Sequence, residues 1–197
     1  GPFKAPYRFR PMTFTVDSVE YTQERAIATQ QTGFTLVAQM RNWLPDAVGG
    51  VLWFGVDDTN TCVYIPIYCS ATEVPECFNP KNGSLYKLSW TSAFWIHNWV
   101  ANMAYARYNY MIKDIRPVQQ QLENEFNTWQ PSIEKAAIDL YKNDKNAAIR
   151  FLTTYSVAQA QRSTARWKEL GEYLMVKYLD GNIKREKDGQ FMDNGYG

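Results

Sequence analysis

Three cysteines, Cys62, Cys69 and Cys77, and a single histidine, His97, are the side chains of this 197-residue chain best suited to nucleophilic chemistry. A thiol–imidazole pair needs His97 beside one of the cysteines, and a Ser-His-Asp set needs it beside a serine. His97 lies in Phe94-Trp95-Ile96-His97-Asn98-Trp99, within the most apolar helical stretch, so a packed and hydrogen-bonded imidazole is expected there. The cysteines sit on or after a strand-like run and read as small apolar packing residues. Cys77, in a loop, is expected to be the exposed one. Asp57-Asp58 supplies adjacent carboxylates. At a turn such a pair accepts backbone hydrogen bonds; a metal site or an acid–base pair is the sharper alternative, but no third ligand can be named. One histidine, with no Cys-x-x-Cys or His-Glu-x-x-His spacing, argues against zinc. The glycines around Val51-Leu52-Trp53-Phe54 lack a phosphate-loop pattern. No metal and no cofactor is therefore expected. Arg25, just before a strand-like run, is a candidate carboxylate clamp, because a guanidinium fork matches a peptide terminus.

These residues need elements to hold them, and the pattern changes character near residue 89. Before it, short β-branched and aromatic runs alternate with turn signals: Met12 to Val16, Arg25 to Thr29, Phe34 to Met40, Val51 to Val56 and Thr61 to Tyr68. The connections are too short for crossover helices, so antiparallel pairing is expected. Pro66 marks an edge or a bulge. Residues 70–88 read as a loop. After Ser89 the period becomes helical. Ile96, Val100, Met103 and Tyr110 share one stripe and Phe94, Ala101, Tyr105 and Tyr108 fall near another. Pro117 is expected to kink or end that helix at Asp114 to Arg116. Val118, Leu122, Phe126 and Trp129 then share a face. Pro131 suits the first turn of a further helix, and Asn143-Asp144 a stop. Trp167, Leu170, Leu174 and Tyr178 line a last long helix, with Gly181 as its C-cap. The fold class is α+β, with a β-rich part over 1–88, a helical region over 89–181 and a polar, loosely held tail over 182–197. The helices can cover one face of the sheet; the other face needs residues from outside this chain.

Composition narrows the partners. Twenty-one basic and 20 acidic residues give a net charge of +1, which does not make a nucleic-acid surface. No apolar run has the length of a membrane span. Three cysteines do not form a disulfide framework and leave the compartment unspecified. Thirteen Tyr and 7 Trp point to a large core or a large interface, and a homo-oligomer is compatible with that. The chain starts at Gly1 with neither an initiator Met nor a signal-peptide pattern, so a cut is expected there.

Four linked strings carry a resemblance. They are Arg25-Ala26-Ile27-Ala28-Thr29-Gln30-Gln31-Thr32, continuing through Phe34 to Arg41, and Gly49-Gly50-Val51-Leu52-Trp53-Phe54-Gly55-Val56-Asp57-Asp58. Tyr64-Ile65-Pro66-Ile67-Tyr68-Cys69 follows with Thr72-Glu73-Val74-Pro75, and then Ser89-Trp90-Thr91-Ser92-Ala93-Phe94-Trp95 with Asn98-Trp99-Val100-Ala101-Asn102. In this order and spacing, roughly over residues 7 to 130, the chain resembles the C-terminal region of the dipeptidase A family of cysteine-dependent N-terminal-nucleophile hydrolases, related to the secernins. The resemblance implies an αββα sandwich of two antiparallel sheets. It also implies dipeptide hydrolysis by a processed N-terminal cysteine whose own α-amine is the base, an amine that titrates near neutral pH. Gly1 has no side chain to attack with, and the three cysteines are internal, so no catalytic residue is carried over. The chain would then be bacterial, inactive alone, and completed by the N-terminal segment of the same protein. Its share of the site would be a wall for the dipeptide, with Arg25, Gln30 and Gln31 as candidates. Gln30 and Gln31 would face opposite sides of a strand. Two other readings remain: a non-catalytic module with an aromatic interface, and an independent hydrolase using Cys77 or His97.

Overall fold

In the computed structural model, which describes residues 4–5, 13–22 and 28–194, strand β1 (Thr13–Val16) turns back onto β2 (Val19–Thr22). The link is Asp17-Ser18, both with positive φ, the two-residue turn whose twist suits a hairpin. Phe14 and Tyr21 stack across it at 5.5 Å. The sequence reading had the first strand and missed the second. Of the expected run Arg25 to Thr29, Arg25, Ala26 and Ile27 lie outside the described residues; Ala28 and Thr29 belong to no strand.

The main sheet contains β3 (Phe34–Met40), β4 (Gly50–Val56) and β5 (Ile65–Tyr68), antiparallel in that order. A single helical turn, α1 (Asp46–Gly49), joins β3 to β4. Pro66 sits on the edge strand opposite Trp53, as its missing N–H requires. The fifth run is shorter than expected. Thr61 and Cys62 donate their N–H groups to the Asp58 carbonyl, and Tyr64 donates to the Glu123 carboxylate, so this stretch is a turn and a helix contact. A 3₁₀ turn over Glu76–Phe78 interrupts the following loop.

Helix α2 (Ala93–Ala106), α3 (Tyr108–Tyr141) and α4 (Lys145–Lys177) pack on one face of this sheet. Sheet and helices share one core: Val56, Val63 and Ile65 meet Ile96, Ile115, Phe126, Trp167 and Leu174. The fold is α+β. The helix break falls at Arg107, whose φ of −149° leaves the helical region, and not at Pro117. Pro117 and Pro131 both lie inside α3. Each proline ring deprives the carbonyl four residues earlier of its partner. Those carbonyls belong to Lys113 and Asn127, both exposed residues on the solvent side of the helix. Ile115, Val118, Leu122 and Phe126 hold the helix to the core through that stretch. Asp144 caps α4 by accepting from the Asn146 N–H at 2.8 Å. Tyr178 is the C-cap of α4, while Gly181, at φ +75°, ends the short 3₁₀ turn that follows. Midway along α4, Gly171 lies against the indole of Trp99, so close that a Cβ would enter the ring. The absent side chain sets the approach of α2 to α4.

Arg41 at the end of β3 forms a two-pronged ion pair with Glu134 of α3, both nearly buried, at 2.7 and 2.8 Å. The rest of β3 is wet. Phe34, Val37 and Met40 are more than half exposed, and among the described residues no strand pairs with its outer edge. Two short strands lie within the tail. β6 (Glu186–Lys187) and β7 (Gln190–Phe191) form a hairpin, and Asn194 donates to Asn182 and to the Ile183 carbonyl, both at 3.0 Å.

Candidate functional site

The thiols are placed differently from expectation. Cys77 is buried in the 3₁₀ turn against α4, where Thr164 hydrogen-bonds it, and burial raises its pKa. The exposed cysteine is Cys69, at the end of β5. Loop composition misled here, because the burial comes from a helix nearly ninety residues away. Cys62 is buried, 3.9 Å from the Thr35 hydroxyl, and its thiol is pushed up to about 12 by burial. His97 is packed as expected, stacked on Trp167 at 5.0 Å, but neither ring nitrogen has a hydrogen-bond partner. Burial lowers its pKa to about 3, so it is neutral and enclosed at physiological pH. Among the described residues Cys62 and Cys77 hydrogen-bond threonine hydroxyls, His97 stacks on Trp167 away from them, and no group of three or more His, Cys, Asp or Glu could hold a metal.

Of the candidate wall residues, Arg25 lies outside the described residues. Gln30 and Gln31 lie in a turn closed by the Thr32 N–H on the Thr29 carbonyl at 3.1 Å, not in a strand. Their separation therefore comes from the turn: Gln31 is exposed, while the amide of Gln30 is enclosed without a partner.

The same turn leads to Gly33, whose carbonyl accepts from the Asp57 N–H at 2.9 Å. Asp57 follows β4 with φ +66° and is 1 % exposed. One carboxylate oxygen accepts from Asn98 of α2 at 3.0 Å; the other has no partner. Burial pushes this carboxyl up to about 6, against the smaller opposing effects of the Asn98 and Asp58 hydrogen bonds. Asp58 accepts from the Asn60 N–H at 3.3 Å and the Thr61 hydroxyl at 3.0 Å, the turn role expected for it.

Between this end of the sheet, the 76–85 loop and the start of α2 lies an open cleft of about 330 Å³. Its apolar wall is aromatic. Phe54 meets Phe78 edge-on at 5.3 Å and Phe34 at 5.7 Å, and Phe94 meets Trp95 at 5.6 Å. Trp95 is fixed by its indole N–H, which donates to the Ser84 carbonyl at 3.1 Å. Gly83, at φ +88°, lets the loop come down on that ring; a Cβ there would meet Trp95 at 3.1 Å and the Lys87 carbonyl at 3.0 Å. Asn82 braces the loop by accepting from Ser89 and Thr91. Among the described residues no charged side chain lines the cleft. Sequence reasoning missed this site. Phe34, Phe54, Val56, Ser92, Phe94 and Trp95 stand in the linked strings, but, Gly33 apart, the rest of the lining belongs to the 76–85 loop, and the cleft exists only where that loop folds over the helix start.

The model of Peptidase family C69 matches residues 6–121, more than half of the chain. The chain belongs to peptidase family C69. This family C69 chain is 27% identical over 172 residues to a probable dipeptidase of Latilactobacillus sakei, covering 87% of its own length and 34% of the relative's. It spans about a third of the curated relative it matches. Among the described residues of the family C69 chain, no helix is long and apolar enough to cross a membrane.

Proposed function

We propose that this chain is the C-terminal part of a bacterial cysteine-type dipeptidase, whose nucleophile is an N-terminal cysteine contributed by a segment that precedes it. The observation that carries the reading is a pairing. The chain is similar to a third of a probable dipeptidase, and its own thiols are internal, those of Cys62 and Cys77 on threonine hydroxyls. An internal cysteine has an amide nitrogen and cannot use its own amine as base. In the complete enzyme that amine takes the thiol proton, and sulfur attacks the carbonyl of the dipeptide bond. The amine half leaves with a proton, and water then releases the acyl half.

The exposed sheet face supports an αββα sandwich in which a second sheet comes from the preceding segment. Within it, residues 1–88 form the β-rich part, 89–181 the helical layer and 182–197 the tail. Arg25, Gln30 and Gln31 are assigned to the substrate wall; the turn of the two glutamines leads directly to Gly33 at the cleft. The competing reading, an aromatic binding module, draws on Trp43 and Tyr86, 74% and 100% exposed. Joining the chain to the coding segment upstream and assaying dipeptide cleavage decides between them. Thiol-dependent hydrolysis is expected; a joined, folded protein that cleaves no dipeptide overturns the enzyme reading.

A further inference from the structure

We propose that residues 182–194 are a strap that sets the tilt of α2, and through it the width of the cleft at the far end of that helix. The starting point is the break between α2 and α3. It is a single residue, Arg107, with φ −149°. Neither glycine nor proline stands there, and Ala106, Arg107 and Tyr108 are all residues a helix accepts. The bend is therefore held from outside, and the holder is the strap. The Arg107 guanidinium donates to the Asn182 carbonyl at 3.0 Å and lies over the rings of Tyr110 and Tyr178, 5.5 Å from each. The strap is tied down in turn along two routes that meet at Asp114 of α3. The Tyr178 hydroxyl donates to Asp114 at 2.6 Å, from the ring that Arg107 covers. Lys177 donates to Asp114 at 2.7 Å and to the Tyr173 hydroxyl at 2.9 Å, and that hydroxyl donates to Glu186 of the strap at 2.7 Å. Phe191 packs on Tyr173 at 5.3 Å, and the Lys184 N–H donates to the Lys177 carbonyl at 2.9 Å. A two-stranded hairpin as short as β6–β7 does not stand alone in water, so these ties keep it in place.

α2 turns these ties into a lever. Its middle is pinned where Trp99 lies on Gly171 of α4. One end runs into Arg107, under the strap. The other carries Phe94 and Trp95, which wall the cleft. A helix of 14 residues is a stiff rod about 21 Å long. With its middle fixed, a displacement of the last turn is passed to the first turn with the opposite sign. The strap in place keeps the Trp95 indole on the Ser84 carbonyl, the bond that holds the 76–85 loop over the helix start. Release of the strap frees the bend, and both ends of α2 move together. The device acts on the shape of the cleft and is independent of the dipeptidase reading.

Amide hydrogen exchange and indole resonances, both read by NMR on the full chain, test the lever. Glu186 is exposed, so Glu186→Ala removes one tie of the strap without touching the core. Loss of one hydrogen bond corresponds to local opening about fivefold more frequent. Exchange should quicken by about that factor at the Lys184 N–H and at the Met111 N–H, which donates to the Arg107 carbonyl. The Trp95 indole N–H resonance should move upfield as its bond to Ser84 lengthens. Glu186→Gln keeps an acceptor for the Tyr173 hydroxyl and should stay within about twofold of wild type at both amides. Arg107→Ala unties the strap from the other side and should quicken Lys184 and move Trp95 as well, because coupling between two sites is reciprocal. The amides of β4, between β3 and β5, are the control and should keep their rates. Quickening at Lys184 with Met111 and Trp95 unchanged makes the strap a passive tail and overturns the proposal. A response at Met111 without one at Trp95, equal quickening in β4, or no change in either alanine variant overturns it too.

Discussion

Replacing Asp57 with asparagine is expected to stabilise the fold at pH 7.5 and to destabilise it by about 1 kcal/mol at pH 4. Asp57 is 1% exposed, one of its carboxylate oxygens has no partner, and burial raises its pKa from the usual 3.8 to about 6. The folded state therefore holds the proton more tightly than the unfolded chain. Its favourable contribution is complete below pH 3.8, declines as pH rises, and is lost above about 6. A difference of about two pKa units corresponds to about 3 kcal/mol between the two limits. Asparagine keeps an oxygen for the Asn98 amide, tolerates the left-handed backbone and carries no charge. Its own amide protons go unpaired, which offsets part of the gain by about 1–2 kcal/mol. The net at pH 7.5 is about 1–2 kcal/mol, a shift of roughly half a molar in the urea midpoint for a slope of about 3 kcal/mol/M. Urea unfolding of both proteins at pH 4, 6 and 7.5 measures it. A variant less stable than wild type at pH 7.5, or a difference independent of pH, refutes the reasoning.

Three further expectations rest on packing. In the native chain one thiol, Cys69, should react promptly with a chromogenic disulfide reagent, and Cys62 and Cys77 only after unfolding; three fast equivalents contradict their burial. Gly171→Ala should destabilise by about 1–3 kcal/mol, read from urea midpoints, since the new methyl must displace the Trp99 ring. Pro117→Ala should raise stability by about 1–3 kcal/mol, because it restores an N–H to a helix already held by Ile115 and Val118; a loss would mean that the ring serves the packing.

The elements that could be read from the sequence are those whose own residues decide them. Phe34–Met40 and Gly50–Val56 are runs of β-branched and aromatic residues, and they pair as strands. Trp167, Leu170, Leu174 and Tyr178 repeat with the helical period, and all four are buried. The failures depended on partners distant in the chain. Proline rules predicted a break at Pro117, but the residue whose carbonyl it orphans, Lys113, is on the exposed side, and the core beneath holds the helix through the stretch. Loop composition made Cys77 look exposed, but α4 covers it. Asp57 was read correctly as a turn residue, yet nothing local indicates that its carboxyl is sealed under α2 with Asn98.

The wet outer strand of the main sheet has a mechanical consequence. Among the described residues β3 takes its main-chain support from β4 alone, so its amide protons should exchange with solvent sooner than those of β4. Its outward N–H and C=O groups already point along the sheet direction. An incoming strand would dock onto a finished template, and growth of the sheet from that side would leave every pairing behind it in register.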